Sequence, residues 1–205
     1  MSVDRSWTVD RTAGWLGVAF LLTLLGSEAA LTLPDESAAA GAVASFYAEH
    51  RTAIIVLQVV GFVSCALLAL FAWRLRALDR RVCVAGLVLA VAALAPGLVT
   101  LILAVVADPA QPDLAETYNR LEPRGDDALF LGIVVFAVAV ALVRSPVWLR
   151  VIAAVVAIGC GLRLVLEAIG QPRGAVDSLA PIGFLGLVAA LTFLSFRGRR
   201  PSTSA

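Results

Sequence analysis

The stretch Ala128-Leu-Phe-Leu-Gly-Ile-Val-Val-Phe-Ala-Val-Ala-Val-Ala-Leu-Val143 runs for sixteen residues without a charged or polar side chain. A helix needs about 20 apolar residues to cross a hydrocarbon core about 30 Å thick, so this stretch is near the lower limit of a membrane span. Strands of a membrane barrel alternate apolar and polar side chains, and this stretch does not alternate. The sequence therefore predicts a transmembrane helix here.

Five further apolar blocks surround this stretch. The predicted helices cover approximately residues 13–33, 52–73, 82–107, 127–143, 147–169 and 176–196. The chain is 60% hydrophobic over 205 residues, and its mean hydropathy is +0.94. We therefore predict an all-α integral membrane protein, with a single domain over 1–205 that forms a six-transmembrane-helix bundle. A short polar tail, 197–205, is expected to be disordered.

The distribution of arginine predicts the orientation of the bundle, because the chain has no lysine. Eleven of the sixteen arginines fall in the two terminal segments and in the second and fourth connections between helices. Cytoplasmic segments carry the excess of basic residues. Both termini are therefore predicted to be cytoplasmic, and the expected location is the cell inner (plasma) membrane.

The two longest connections, 34–51 and 108–126, are then external. The first is expected to form a short interfacial helix whose apolar side carries Val43, Phe46 and Tyr47, with the aromatic rings at headgroup level. The second is acidic, and its 114–121 stretch is long enough for two helical turns. Together these connections are candidates for a cover over the outer end of the bundle.

The dipeptide Pro96-Gly97 lies in the middle of the third predicted helix. Proline lacks a backbone N–H and clashes with the preceding turn, so the helix is expected to bend here. The freed carbonyls need donors, and Thr100 is the nearby candidate. A bend opens space on one side of the helix.

Ionisable and polar residues within the apolar blocks are the functional candidates, because charge in a bilayer is costly and often functional. All of them fall in the predicted outer half, and Glu28 is expected about 7–8 Å below the outer boundary. The predicted catalytic residues are Glu28, Glu167 and Arg163. The predicted ligand-binding residues are Gln58, His50, Arg51, Asp126 and Asp127.

Specific roles follow from residue type. Glu28 and Glu167 are the acid/base candidates, since a carboxyl group in an apolar setting binds its proton more tightly. Arg163 is one helical turn from Glu167 and can pair with it or hold a ligand electrostatically. Gly159, a further turn away, is expected to permit close approach of a helix or ligand. The pair Asp126-Asp127 also suits a helix N-terminus.

The segment Ser45-Phe-Tyr-Ala-Glu-His-Arg-Thr-Ala53, placed between the first two long helices, resembles a pattern in small multi-pass membrane proteins of high-GC bacteria. The absence of lysine and the alanine- and valine-rich helices are similar to those proteins as well. The family has no assigned activity, so the resemblance implies a membrane location and a helical fold only.

The leading functional hypothesis is a polar pocket in the outer half that binds a lipophilic small molecule or a membrane lipid. A cofactor-independent acid/base enzyme (an isomerase, a cyclase or an epoxide-opening enzyme) would use the same parts. A small proton-coupled or passive transporter and a non-catalytic accessory subunit remain alternatives. We expect no cofactor and no metal site, and the net charge of +1 gives no reason to expect nucleic acid. Formation of a homo-oligomer is a further alternative that the sequence leaves open.

Overall fold

The computed structural model describes residues 11–34, 38–172 and 174–197. These residues form nine α-helices and a short 3-10 turn at Leu75–Ala77. The helices are α1 Arg11–Glu28, α2 Ala40–Glu49, α3 Arg51–Arg74, α4 Arg80–Ala92, α5 Leu94–Val106, α6 Pro112–Asn119, α7 Glu122–Leu142, α8 Val147–Ala168 and α9 Ala175–Arg197.

Five helical segments of the described chain are long and apolar enough to cross a membrane: Arg51–Ala77, Arg80–Val106, Pro112–Leu142, Val147–Ala168 and Ala175–Arg197. The protein is therefore an all-helical chain with the composition of a multi-pass membrane protein. The first predicted span, 13–33, appears as the 18-residue α1, which is not one of these five segments. Of the expected tail, Arg197 is the last residue of α9, and 198–205 lie outside the described residues.

The long helices pack in a closed ring. In order around it, α1 contacts α3, the α4–α5 segment contacts α3 and α7, α8 lies between α7 and α9, and α9 returns to α1. Trp15 and Phe196 make an edge-to-face contact, with ring centroids 5.4 Å apart, so the start of α1 lies beside the end of α9. Chain neighbours are thus spatial neighbours throughout, as short connections require.

The third predicted helix is divided into α4 and α5, as the Pro96-Gly97 prediction anticipated. Helix α4 ends at Ala92, whose carbonyl is four residues before Pro96, so the proline cannot donate a hydrogen bond to it. Ala93 still donates to Leu89 O at 2.8 Å, and α5 starts at Leu94. The expected donor Thr100 is engaged elsewhere, since its hydroxyl donates to Glu122 at 3.4 Å.

Two predicted helix ends were wrong. Helix α1 stops at Glu28 and not at residue 33, because Gly26 and Ser27 are weak helix formers and Leu33 precedes a proline. Glu28 is therefore the last helical residue and is exposed, not buried five residues inside a span. Helix α7 starts five residues earlier than expected, with Pro123 in its first turn, a position that proline favours.

Helices α2 and α6 pack against each other and cover one end of the ring; we call this pair the roof. Val43 and Tyr47 are fully buried in a cluster with Ile54, Leu103 and Ala115. The apolar side of α2 therefore packs on protein, and Tyr47 does not lie among headgroups as predicted. The short helix itself, and a helix in the second connection, were both correctly expected.

The end of α8 is a Schellman motif that sets the position of the next helix. Gly170 has a positive φ of 67° and donates to Glu167 O at 3.0 Å, while Gln171 donates to Leu166 O at 2.9 Å. The chain then turns within a few residues into α9, whose first turn carries Asp177. This tight turn brings Asp177 back against the last turns of α8.

Candidate functional site: a cavity inside the helix ring

A cavity of about 730 Å³ lies within the ring, at the end that the roof covers. Its wall is formed by α1 from residue 20 onward with residues 31–33 after it, residues 54–68 of α3, the α4–α5 break, the first half of α7 and part of α9. Of the described lining residues, none comes from α8.

The cavity wall combines an apolar majority with a few polar groups. Its aromatic residues are Phe20, Phe62, Phe130 and Phe184. Its longer polar side chains are Glu28, Gln58, Thr100, Glu122 and Asp126. Small-molecule sites typically have this composition, in which apolar walls bind the body of a ligand and a few polar groups fix its orientation.

Two of the predicted carboxylates meet in this cavity. Glu28 comes from the end of α1 and Asp126 from the second turn of α7, and both line the wall. Their charges are close enough to interact. In the described part of the chain, Glu28 makes no hydrogen bond or ion pair, so its carboxylate faces the cavity opening without a protein cation beside it.

The helix break shapes one side of the cavity. A Cβ atom on Gly97 would lie 2.9 Å from the Oε1 of Gln58, so the glycine makes room for the amide of α3 beside the break. A Cβ atom on Gly125 would lie 2.9 Å from Pro96 Cα, so α7 packs directly on the broken backbone. The same proline therefore widens the cavity and positions the wall that carries Asp126.

Glu122 links the cavity to the roof. It accepts a hydrogen bond from the buried Thr100, and its charge acts on Tyr47. Burial first, and then the nearby Glu122 carboxylate, raise the pKa of Tyr47. In the described chain the buried hydroxyl of Tyr47 has no hydrogen-bond partner. Of the described lining residues, none belongs to α2 or α6, so Glu122 is a connection between the cavity wall and the interior of the roof.

Arg163 is the buried cation nearest the cavity, with only 2% of its surface exposed. Its Nε donates to Asp177 at 2.8 Å, its Nη1 to Asp127 at 3.4 Å, and its Nη2 lies 3.9 Å from Asp126 Oδ2. One guanidinium is therefore shared by three aspartates from α7 and α9. Such sharing offsets the cost of burying a charge in this region.

Phe130 contacts both the cavity and the arginine. The guanidinium carbon of Arg163 lies 3.8 Å from the centroid of its ring, a cation–π distance, and the same residue lines the cavity wall. Arg163 itself is not one of the described lining residues. Its positive charge thus lies beside an aromatic residue of the wall, with its two hydrogen bonds made to Asp127 and Asp177 and a longer contact to the lining Asp126.

The structure brings together three of the eight predicted site residues. Glu28, Gln58 and Asp126 line the cavity, whereas Glu167 and Asp127 are not among its described lining residues. The partners found for Arg163 are aspartates on neighbouring helices, not the expected Glu167 on its own helix. Gly159 was expected to permit a close approach, yet its α-carbon faces open space in the described structure, since nothing lies within 4 Å of a Cβ there.

His50 and Arg51 lie where α2 of the roof joins α3. The His50 ring stacks on Phe46 with centroids 4.4 Å apart, and its Nδ1 is 3.0 Å from Phe46 O. Arg51 donates from Nη2 to Ala107 O at 2.7 Å, and so satisfies a carbonyl at the end of α5. Neither residue is part of the described cavity lining, so their contacts hold the junction of α2, α3 and α5 together.

Sequence reasoning missed Glu122, Thr100 and the role of Asp177. Glu122 was assigned to a loop, although the Glu-Pro pair at 122–123 is a helix-start signal that places it in the first turn of α7. Thr100 was considered only as a partner for the broken helix. Asp177 is at the start of the predicted span 176–196, but nothing in the sequence pairs it with Arg163 fourteen residues earlier.

Within the described ranges, no group of three or more His, Cys, Asp or Glu side chains has an arrangement suited to a metal ion. The chain matches no protein-family model, no curated protein and no solved structure.

Proposed function

We propose that this protein binds a lipophilic small molecule or a lipid, with one polar end, in the cavity inside its helix ring. The observation that carries the proposal is the wall itself. Its aromatic and aliphatic majority suits a hydrophobic body, and Glu28, Gln58, Asp126 and the Thr100–Glu122 pair suit a polar end. The volume of about 730 Å³ lies within the range of about 300–1,000 Å³ that is typical of small-molecule sites.

Binding is better supported than catalysis. An acid/base enzyme would need its predicted groups Glu28, Glu167 and Arg163 within reach of one bound molecule. Of these three, only Glu28 belongs to the described cavity lining. We therefore propose a binding protein and not an isomerase or cyclase.

The proposal includes the membrane topology. We infer six spans, with α1 as the sixth, because α1 completes the ring of long helices and packs on both α3 and α9. At 18 residues α1 is about 27 Å long, which is close to the thickness of a hydrocarbon core. Arginines are concentrated at the end opposite the roof, so the roof is external and both termini are cytoplasmic, in the plasma membrane.

A variant that fills the cavity tests the proposal. Gly61 lines the cavity, and a Cβ there would have only Gln58 Oε1, at 3.9 Å, as a near neighbour, so Gly61→Phe adds a ring to the chamber without a clash at the backbone. Native mass spectrometry of purified protein would detect a retained hydrophobic molecule. We expect the wild type to retain it and Gly61→Phe to lose it.

Gly26→Phe is the matched control. Gly26 is exposed on α1, has nothing within 4 Å of its Cβ position, and is not one of the described lining residues. The Gly26→Phe substitution adds the same ring on the outside of the bundle, so this variant should retain as much of the hydrophobic molecule as the wild type. Equal retention by both variants would mean that the molecule is surface lipid, and the proposal would be wrong.

A further inference from the structure

We propose that the ligand of this cavity is a lipophilic cation, such as a substituted ammonium compound with a hydrophobic body. This inference rests on the proposed function and specifies the charge of the ligand. Its basis is the arrangement of charge around the chamber: carboxylates line the wall, and the nearest buried arginine is kept behind it.

Glu28 and Asp126 supply negative charge to the cavity wall. They come from opposite helices of the ring, line one cavity and interact through their charges. Two like charges repel each other, and a cation between them removes that repulsion. A third carboxylate, that of Glu122, lines the same cavity.

The described part of the cavity wall carries no positive charge. No arginine or histidine is found among the described lining residues. Arg163 serves three aspartates at once, and two of these, Asp127 and Asp177, are not part of that lining. The third, Asp126, lines the cavity and lies 3.9 Å from the same arginine, so one cation is shared among three carboxylates and negative charge is in excess. An anionic headgroup would therefore meet a net negative surrounding, whereas a cationic headgroup would meet complementary charge.

The aromatic residues favour an organic cation over a metal ion. Phe20, Phe62, Phe130 and Phe184 line the chamber, and ring faces attract ammonium groups, including quaternary ones that cannot donate hydrogen bonds. The guanidinium carbon of Arg163 already lies 3.8 Å from the centroid of the Phe130 ring, which shows that the surroundings of this ring tolerate a cation. A chamber of about 730 Å³ is far larger than a metal ion requires.

A pair of probes with nearly the same shape and opposite charge tests this inference. Tetraphenylphosphonium is a cation and tetraphenylborate is an anion, and both are hydrophobic. Equilibrium binding of each would be measured to the full chain in neutral detergent, with empty micelles as the blank. We expect saturable binding of tetraphenylphosphonium and at least tenfold weaker binding of tetraphenylborate.

Variants assign the binding to the wall. Glu28→Gln removes one charge at constant shape and should weaken tetraphenylphosphonium binding at least fivefold, with Glu28→Asp retaining part of the affinity. Glu116→Gln is the control, since Glu116 pairs with Arg120 on the outside of α6 and is not one of the described lining residues. Its affinity should equal that of the wild type, and unchanged elution as a single species would confirm that each variant is folded.

The outcomes separate this inference from the proposed function. If both ions bind equally, or if Glu28→Gln has no effect, the ligand is not selected as a cation, and the inference is overturned. In either case, loss of ion binding in the Gly61→Phe variant would still support a hydrophobic site in the cavity. Binding of either ion that survives Gly61→Phe would place the ions elsewhere and overturn both.

Discussion

Arg163 Nε lies 2.8 Å from Asp177 Oδ1, and this hydrogen bond joins the last turns of α8 to the first turn of α9. The same guanidinium reaches Asp127 on α7, so one side chain connects three consecutive helices of the ring. In lipid, helix association draws little on the hydrophobic effect, and polar contacts and close packing determine which helices meet. The arginine is thus a structural centre placed directly behind the cavity wall.

Replacing Arg163 with glutamine should destabilise the protein strongly. The change leaves three aspartates without their shared cation, and removing one partner of a buried pair costs about 3–5 kcal/mol. Because the aspartate side chains are between 36% and 46% exposed, we expect the lower end, about 3 kcal/mol. Unfolding in a titration with denaturing detergent would measure the loss.

Arg120→Gln is the control for this change. Arg120 pairs with Glu116 one helical turn away on α6, and its side chain is 75% exposed. Exposed pairs of this kind contribute at most about 1 kcal/mol. A loss of stability in Arg163→Gln as small as that of the control would show that the aspartates do not depend on the buried cation.

The packing of α7 on the helix break gives a second prediction. Gly125→Ala places a methyl group 2.9 Å from Pro96 Cα, and a backbone atom cannot move aside as a flexible side chain can. Overpacking of this kind costs about 1–3 kcal/mol. We expect the same detergent titration to show a destabilised protein with a displaced cavity wall and weaker ligand retention.

Gly159→Ala provides the comparison, because nothing lies within 4 Å of its Cβ position in the middle of α8. Alanine is the better helix former by roughly 0.5–1 kcal/mol, so this variant should be as stable as the wild type or slightly more so. If the two substitutions gave equal stabilities, the contact between Gly125 and Pro96 would not be a packing contact.

The sequence located the long helices but did not identify the ion-pair partners of Arg163. Helix formation depends on residues that are close in the chain, whereas these ion pairs join different helices. Apolar run length located every long helix, and the missing N–H of Pro96 located the break, because both are local properties. The partners of Arg163 are not local. Sequence spacing offered Glu167, one turn away, whereas the structure supplies Asp127 and Asp177 from the two helices that pack on either side of α8.

The position of Glu28 shows how a small local error changes a functional argument. Hydropathy alone extended the first helix to residue 33 and put the carboxylate inside the span. The helix ends at Glu28, so the side chain lies at the mouth of the cavity and not in its depth. Glu28 and Asp126 both line this cavity, although they come from different helices.

A buried pair of hydroxyl groups gives a third prediction. Ser64 donates to Thr23 Oγ1 at 2.7 Å, linking α3 to α1 beside the cavity, and Thr23 in turn donates to carbonyls of its own helix. Hydrogen bonds between membrane helices contribute about 0.6 kcal/mol on average. Ser64→Ala and Thr23→Val in a double-mutant cycle should show a coupling of that size.

A coupling near zero would mean that each hydroxyl is satisfied by its own helix, and a coupling above about 2 kcal/mol would exceed what such bonds contribute in membranes. Ser195→Ala serves as a reference within the bundle. Its hydroxyl donates to Leu191 O of the same helix at 2.9 Å, and we expect no coupling between this change and Thr23→Val.

The proposed topology gives the fourth prediction, and it separates the two ends of the ring. Ala110, in the connection before α6, and Ala77, in the turn before α4, are both exposed and lie at opposite ends. Each would be changed to cysteine in a chain whose Cys65, Cys83 and Cys160 are replaced by alanine. Because arginines cluster around Ala77, a membrane-impermeant maleimide should label Ala110→Cys in intact cells and Ala77→Cys only after the membrane is opened. Labelling in the opposite pattern would place the roof and the cavity mouth on the cytoplasmic side, and labelling of both variants in intact cells would exclude a membrane-spanning segment between α4 and α6.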